Sequence, residues 1–251
     1  MYLRRRWTIY SYNAISKDGF QMSSNTKSFM FAFIMCCVVG LLLTLAAEGL
    51  KPLQARNMLV DQQKNILRAL GVMQASDKWD KDQVLSVYTN TVESLYVDEA
   101  GQPVSEAVTD GLPMYVIRKA GAIQRYAVPF KAYGLWSWIH GYIALDGDAS
   151  TVVGMSVYKH AETPGLGGEC DKPWFLNQFI DKKIRKPNGE LVSIGVVKGK
   201  VGDTIASDQQ AYYVDGMSGA TITGVGIDRD LRTTLQQYEG FAGILLKEKQ
   251  S

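Results

Sequence analysis

The first feature of the hydrophobic pattern is an apolar run near the N-terminus. Residues 29–47 read FMFAFIMCCVVGLLLTLAA and contain no charged side chain. About 20 apolar residues in a helix cross the hydrocarbon core of a bilayer, so the run predicts a transmembrane helix. A cleaved signal peptide is the alternative, but residues 1–28 form a long leader and Leu45 disrupts a small-x-small cleavage site. We therefore expect a retained single anchor.

The charges that flank this anchor indicate its orientation. The basic residues before it are Arg4, Arg5, Arg6, Lys17 and Lys27, and those that follow it closely are Lys51, Arg56 and Lys64. Because the cytoplasmic flank of a membrane helix carries more lysine and arginine, the excess places residues 1–28 in the cytoplasm. The remainder of the chain is then extracytoplasmic.

Beyond the anchor, the apolar spacing is first helical, and the chain then changes to short β-like runs. Residues 48–75 keep helical spacing and predict a stalk, and a second helix is expected over 83–95. The region 76–251 contains no repeat and predicts one domain. Its short β-like runs predict strands over 114–119, 123–130, 138–146 and 151–160, with a hairpin turn at Gly147-Asp148 between the last two.

The last third of the chain mixes both patterns. A helix is expected over 174–184, a strand over 191–199 after the turn Pro187-Asn188-Gly189, and a closing helix over 223–246. The strands cluster along the chain and do not alternate with helices. The domain is therefore predicted to be α+β, and a doubly wound sheet is disfavoured.

Composition narrows the classes of function. The chain is 46% hydrophobic and 21% charged with a net charge of +2, a balance typical of a folded domain. It has neither a basic stripe with interleaved aromatic residues nor a zinc-finger spacing, so no nucleic-acid partner is expected. Two histidines and three cysteines offer little material for a metal site, and none is predicted. Cys36 and Cys37 are neighbours in the anchor and Cys170 stands alone, so we expect no intramolecular disulfide and a small packed residue at 170.

Two common catalytic patterns are absent from the sequence. Gly165, Gly167 and Gly168 form neither a dinucleotide fingerprint nor a phosphate-binding loop. Ser218 lies in M-S-G and not in G-x-S-x-G, and no histidine is linked to it. The chain therefore gives no indication of a nicotinamide site or a hydrolytic triad of its own, and no residue is assigned as catalytic.

Two other segments allow both a structural and a functional interpretation. The segment HAETPGLGGE (160–169) is either a plain turn with a solvated Glu162 or a loop that presents amides and Leu166 to a flat ligand. The aromatic segment YGLWSWIHGY (133–142) packs the core, supports an apolar ring system, or does both. From composition alone, the structural interpretation is the more common one for each segment.

A further segment, VDGMSGATITGVG (214–226), precedes the closing helix. Its small residues and free amides would suit a phosphate at a helix N-terminus. The alternative is a simple helix cap made by Ser218, Thr221 or Thr223. Because no basic residue neighbours these hydroxyls in the sequence, the local pattern favours the cap.

In combination, YGLWS (133–137), ETPGLGGE (162–169), DGMSGAT (215–221) and the N-terminal anchor resemble the family of C subunits of the bacterial sodium-translocating NADH:quinone oxidoreductases. The resemblance extends from the anchor nearly to the end of the chain. It implies covalently bound FMN, with the flavin phosphate esterified to Thr221 by a separate flavin transferase. The other residues that it assigns to the cofactor are the label Asp215, Ser218, Gly219 and Ala220, the adjacent Thr223, and the flavin walls Leu135, Trp136, Thr163 and Leu166.

The same resemblance implies a function. The chain would relay electrons within a sodium-pumping complex of the bacterial inner membrane, beside other membrane subunits, with its domain 76–251 on the periplasmic side. It would turn over no substrate independently. The G subunit of an Rnf-type ferredoxin:NAD oxidoreductase carries the same label and is an alternative, although YGLWS and GLGGE favour the quinone-reducing complex. A second alternative is an anchored binding or assembly module without a redox role, in which SGAT is only a helix cap.

Overall fold

The computed structural model describes residues 24–74, 76–105 and 111–249. The chain forms two compact units, with the boundary in the sequence between Gln54 and Ala55. Helix α1 (Ser24–Ala69) begins in the first unit, where the apolar side chains of the predicted anchor are exposed. Pro52 lies within α1 and does not end it. The helix is long and apolar enough to cross a membrane, as the pattern of residues 29–47 predicts.

In the second unit, the described residues form a six-stranded antiparallel sheet with the order β2-β1-β3-β4-β5-β6. Helix α2 (Lys81–Thr91) precedes it. The strands are β1 (Glu93–Val97), β2 (Pro103–Val104), β3 (Leu112–Lys119), β4 (Ala122–Tyr133), β5 (Trp138–Asp146) and β6 (Val152–Lys159). Strands β3 to β6 confirm the predicted strands, and the turn at Gly147-Asp148 lies between β5 and β6 as expected.

The region after β6 is mostly irregular, and the chain closes with two helices. Its short elements are α3 (Pro173–Leu176), β7 (Gly195–Val196), α4 (Val201–Thr204), β8 (Tyr213–Val214) and the 3₁₀ turns Gly167–Asp171, Asn177–Phe179 and Gln210–Tyr212. Strands β7 and β8 pair in parallel. The closing helices are α5 (Thr221–Gln237) and α6 (Glu239–Glu248). The described residues therefore form the α+β domain that the sequence predicts.

Two predicted helices in the domain end earlier than expected. The helix expected over 83–95 stops at Thr91, because the segment from Glu93 pairs with β3 as strand β1. The helix expected over 174–184 is regular only in α3 and then passes into a 3₁₀ turn. Asp181 has a φ of 64° and donates its N–H to the carbonyl of Val152, so the chain there joins the edge of the sheet.

Two further elements differ from the prediction because of particular residues. The strand expected over 191–199 is reduced to β7, since Ser193 has a φ of 64°, which an extended strand does not allow. The helix expected over 223–246 begins at Thr221 and is divided at Tyr238. The Tyr238 hydroxyl donates to the carbonyl of Pro113 at 2.7 Å, so this break is tied to strand β3.

The two faces of the sheet are covered by different elements, because successive side chains of a strand point to opposite sides. Tyr126 and Val128 of β4 belong to the core that contains the buried residues of α5 and α6. Ala127 lies between them in sequence and belongs to a second core, with Ile66 and Leu67 of α1. The second half of the predicted stalk therefore forms part of the domain core.

Gly226 allows α5 to approach the end of β4 very closely. A Cβ atom at this position would lie 1.9 Å from the carbonyl oxygen of Tyr133, the last residue of β4. Only glycine permits this contact without a shift of the helix or the strand. The contact places the N-terminal turn of α5 beside the loop that follows β4.

Candidate functional site

The N-terminal turn of α5 presents a hydroxyl that the fold does not use. Thr221 is the first helical residue and is exposed, and Ala220 occupies the cap position without a side-chain hydrogen bond. Among the described residues, no hydrogen bond engages the Thr221 hydroxyl or the Ser218 hydroxyl. The simple cap considered from the sequence is therefore not formed. The free amides at the start of a 17-residue helix favour an anion, such as a phosphate.

Thr223 has a different environment, although it is only two residues further along. Its side chain is 1% exposed, and its hydroxyl donates to Oε2 of Glu162 at 2.8 Å. Residues two apart on a helix point in nearly opposite directions, so Thr221 faces outward while Thr223 faces the interior. The structure thus separates these two predicted site residues into an accessible hydroxyl and a structural one.

Glu162 is the central residue that sequence reasoning missed. It is 5% exposed, and the solvated side chain considered for it is therefore wrong. Its Oε1 accepts the N–H groups of Trp136 at 2.8 Å and Ser137 at 3.1 Å, and its Oε2 accepts the N–H of Leu135 at 3.1 Å. With the bond from Thr223, one carboxylate joins the loop after β4 to the first turn of α5. The sequence shows Glu162 in ETPGLGGE and shows YGLWS as a separate segment, but it does not show that the Glu162 carboxylate contacts the amides of YGLWS.

Glycines around this carboxylate explain two of the signature segments. A Cβ on Gly134 would lie 2.7 Å from the carboxyl carbon of Glu162, and a Cβ on Gly167 would lie 2.5 Å from Oε2. Both glycines therefore make room for the Glu162 side chain. In YGLWS and GLGGE, glycine is needed because two loops close around one buried carboxylate.

The charge on Glu162 is stabilised by its hydrogen bonds. Burial raises the pKa of the carboxyl, but the bonds from Trp136, Thr223, Leu135 and Ser137 outweigh that effect and hold the pKa below its usual value. The group is therefore a carboxylate at neutral pH. Among the described residues, no lysine or arginine forms an ion pair with it.

The apolar side chains predicted as walls are exposed, and one of them, Leu166, lies against the signature 215–221. Leu135 is 44% exposed, Trp136 is 67% exposed and Leu166 is 43% exposed. A Cβ on Gly219 would lie 2.7 Å from a methyl carbon of Leu166, so the loop 162–169 lies directly against the signature 215–221. Thr163, the other predicted wall residue, stabilises the loop 162–169 through its backbone, since its carbonyl accepts the N–H groups of residues 166 and 168.

A cavity of about 530 Å³ lies along the signature and brings two lysines to it, although the predicted walls do not line it. It is lined by residues 215–221 and also by Lys198 and Lys200. The sequence shows no lysine or arginine beside the hydroxyls, but the fold brings Lys198 and Lys200 to the same cavity. Asp215 is the link, because its Oδ1 accepts the N–H of Val201 at 2.7 Å. Asp215 therefore holds the lysine-bearing loop against the signature.

His160 and Cys170 are the other polar residues near these loops. His160 accepts the N–H of Glu162 at Nδ1, and its Nε2 lies 3.2 Å from Oδ2 of Asp171. Cys170 is fully buried, and burial raises the pKa of its thiol to about 12, which leaves it protonated. In the described part of the chain, no cluster of three metal-ligating side chains occurs.

Comparison with known proteins first gives the class. A family model described as the FMN-binding domain matches residues 134–236, which include Glu162, the apolar walls and Thr221. The fold and the site thus define a flavin mononucleotide-binding domain.

Relatives over nearly the whole chain give the family. The C subunit of the Na(+)-translocating NADH-quinone reductase of Pseudomonas aeruginosa is 30% identical over 88% of this chain and 95% of its own length. The protein of the same name from Yersinia pestis is 30% identical over 89% of this chain and 93% of its own length. The crystal structure of the C subunit from Parabacteroides distasonis is 32% identical, with a TM-score of 0.66 over 77% of this chain and 96% of that one. NqrC from Shewanella oneidensis, 24% identical with a TM-score of 0.63, shares the fold. The chain belongs to the family of C subunits of the Na(+)-translocating NADH-quinone reductases, which confirms the resemblance.

Proposed function

We propose that this chain is the membrane-anchored electron-transfer subunit of a sodium-pumping NADH:quinone oxidoreductase, with FMN joined to Thr221 by a phosphodiester. The observation that carries the proposal is the exposed Thr221 hydroxyl at the start of a long helix, which no hydrogen bond engages among the described residues. The predicted wall residue Leu166 lies against Gly219, two residues before it. The family match supports the cofactor class. The signature 215–221 and this geometry support Thr221 as the attachment point.

The residues around Thr221 fit a flavin mononucleotide. The helix amides, Lys198 and Lys200 supply positive potential for a phosphate. Gly219, with a φ of 71°, leaves a slim backbone beside Leu166. The wall itself supplies the apolar contact that a ring system requires. This donor set combines an anion site with an apolar face, as one phosphorylated aromatic cofactor needs.

When bound, FMN would supply the redox chemistry, and the chain would position it. Thr221 would fix the phosphate end, and Leu135, Trp136 and Leu166 would support the ring. A threonine hydroxyl is a weak nucleophile without an adjacent base, and no side chain in the described residues hydrogen-bonds to that of Thr221. This supports a separate flavin transferase as the agent of attachment.

A gel experiment tests the linkage. The full-length chain is produced with and without a flavin transferase and separated under denaturing conditions. We expect an ultraviolet-fluorescent band only with the transferase, and Thr221→Ala should abolish it. Thr233→Ala is the matched control, because Thr233 is also exposed on α5 but lies several turns away. A dark wild-type band would refute the proposal and favour the non-redox module.

The complex and the orientation require a second experiment. We propose that the domain faces the periplasm of a bacterial inner membrane and contacts other membrane subunits, an assignment supported by the charges around α1 and by the names of the relatives. Purification of the tagged chain from mild detergent should recover NADH:quinone reductase activity that depends on sodium. Recovery of ferredoxin:NAD activity would identify the Rnf-type complex. Protease added to intact spheroplasts should cleave the domain if it is periplasmic.

A further inference from the structure

Glu162 has a geometry that exceeds the needs of packing. The three consecutive N–H groups of residues 135–137 converge on its carboxylate, and the hydroxyl of Thr223 supplies a fourth donor. Both oxygens accept two bonds each, so the carboxylate has little capacity left for a ligand or a proton. Successive backbone amides that converge on one anion form a nest, and the loop cannot change shape without losing these bonds.

We infer that Glu162 is a positioning residue, which locks the apolar wall of residues 135–136 to the first turn of α5 and keeps a fixed negative charge beside the flavin. The inference rests on the proposed attachment at Thr221. The wall and the attachment point lie on different segments. Glu162 hydrogen-bonds to each segment, through the amides of residues 135–137 and through the hydroxyl of Thr223. Thr223 is two residues from Thr221, so the carboxylate fixes the register between the phosphate end and the ring end of the site.

The charge is as important as the hydrogen bonds. Glu162 is almost completely buried, yet no cationic side chain forms an ion pair with it among the described residues. Its charge is therefore balanced by dipoles and not cancelled by an opposite charge. An apolar residue would fill the space at less desolvation cost, so packing alone does not explain a carboxylate here. A reduced flavin gains negative charge, so a nearby carboxylate disfavours reduction.

The decisive variant is Glu162→Gln, measured in the full-length chain that has been flavinylated by the transferase. A carboxamide keeps the size of the side chain but removes the charge, and its NH₂ group would face donors from the loop or from Thr223. Glu190→Gln is the matched control, because Glu190 is exposed and pairs with Lys186 away from the site. The measurements are flavin per chain, the visible circular dichroism of the flavin, its reduction equilibrium against a dye, and the urea midpoint.

We expect Glu162→Gln to retain covalent flavin, while its visible circular dichroism falls at least twofold. Its equilibrium constant for reduction should rise roughly tenfold, an order-of-magnitude effect for the loss of one buried negative charge that opposes the charge gained on reduction. Thr223→Val should lower the circular dichroism without the tenfold change, since the charge remains. Thr223→Ser restores the hydroxyl and should rescue the signal that Thr223→Val loses.

Several outcomes would overturn the inference. One is a folded, labelled Glu162→Gln whose reduction equilibrium and circular dichroism equal those of the wild type. Another is a lower urea midpoint as the sole change, which indicates a merely structural carboxylate. If Glu162→Gln does not fold, the Thr223 pair decides, and unchanged circular dichroism in Thr223→Val overturns the positioning role. A wild-type chain without covalent flavin would refute the proposed function together with this inference. A labelled chain whose flavin is unaffected by these substitutions would refute the inference alone.

Discussion

Replacing Gly226 with alanine should separate α5 from the sheet. The added Cβ would lie 1.9 Å from the carbonyl oxygen of Tyr133, whereas such contacts below 3.0 Å are essentially never seen. The helix or the strand must therefore move by at least about 1.1 Å, the difference between these two distances. The carbonyl is backbone at the end of a strand paired along its length with β5, so it cannot rotate away.

The magnitude follows from two opposing terms. Overpacking against a rigid neighbour costs about 3 kcal/mol, the upper part of the usual range, while alanine in a helix interior gains about 1 kcal/mol over glycine. We expect Gly226→Ala to lose about 2 kcal/mol of the free energy of unfolding. Gly243→Ala is the matched control in α6, where an added Cβ meets nothing within 4 Å. It should gain up to about 1 kcal/mol.

Urea unfolding of the full-length chain in detergent, followed by tryptophan fluorescence, measures both variants. The two substitutions should shift the unfolding midpoint in opposite directions. Because α5 carries Thr221, Gly226→Ala should also lower the yield of covalent flavin at a fixed time of reaction with the transferase. A Gly226→Ala chain as stable as the wild type would show that α5 is not held by this close contact, and the reasoning would fail.

Three further predictions concern the site. The lowered pKa of Glu162 stabilises the folded state at pH values above the usual glutamate pKa of 4.5. This stabilisation is lost as the pH falls through the lower pKa of the folded state. Urea midpoints measured between pH 6 and 3 should therefore decline less steeply in Glu162→Gln than in the wild type. Trp136→Ala or Leu166→Ala should leave attachment intact but change the flavin midpoint potential or its rate of electron transfer. If neither the potential nor the rate changes in either variant, the assignment of the walls is refuted. Changing Lys198 and Lys200 together to glutamine should slow flavin attachment two- to tenfold at low salt and less at high salt, whereas equal slowing at both would exclude an electrostatic role.

Much of the fold could be predicted because its signals are local. The uncharged run 29–47 and the β-like runs of β3 to β6 are signals within single segments, and the structure confirms the long apolar helix and the strands. The errors lie where tertiary contacts override spacing. Residues 191–199 have the composition of a strand, but Ser193 turns the chain. The helical pattern of residues 83–95 ends early because the segment after Thr91 pairs with β3.

The site was predictable only in part for the same reason. The signature segments identified the family, and Leu166 does lie against Gly219. Neither Glu162 nor the lysines could be assigned, because their significance depends on contacts between distant segments. Glu162 contacts amides about 26 residues earlier and a hydroxyl 61 residues later. No periodicity within one segment records such a contact, and a buried carboxylate in a glycine-rich loop has the sequence appearance of a solvated turn.

The exposure of the predicted walls gives a physical reason why the attachment proposed at Thr221 would help to retain the cofactor. Sites that retain a ligand by burial enclose most of its surface, whereas Trp136 is 67% exposed and Leu135 and Leu166 are nearly half exposed. An open face of this kind recovers little apolar area, and reversible association must still overcome about 4–15 kcal/mol of lost translational and rotational freedom. The bond that we propose at Thr221 would remove that cost at every binding event. The exposed wall residues, the unbonded hydroxyl and the buried carboxylate are then consistent with one proposed explanation: a cofactor attached through its phosphate and oriented by the wall would not need tight enclosure.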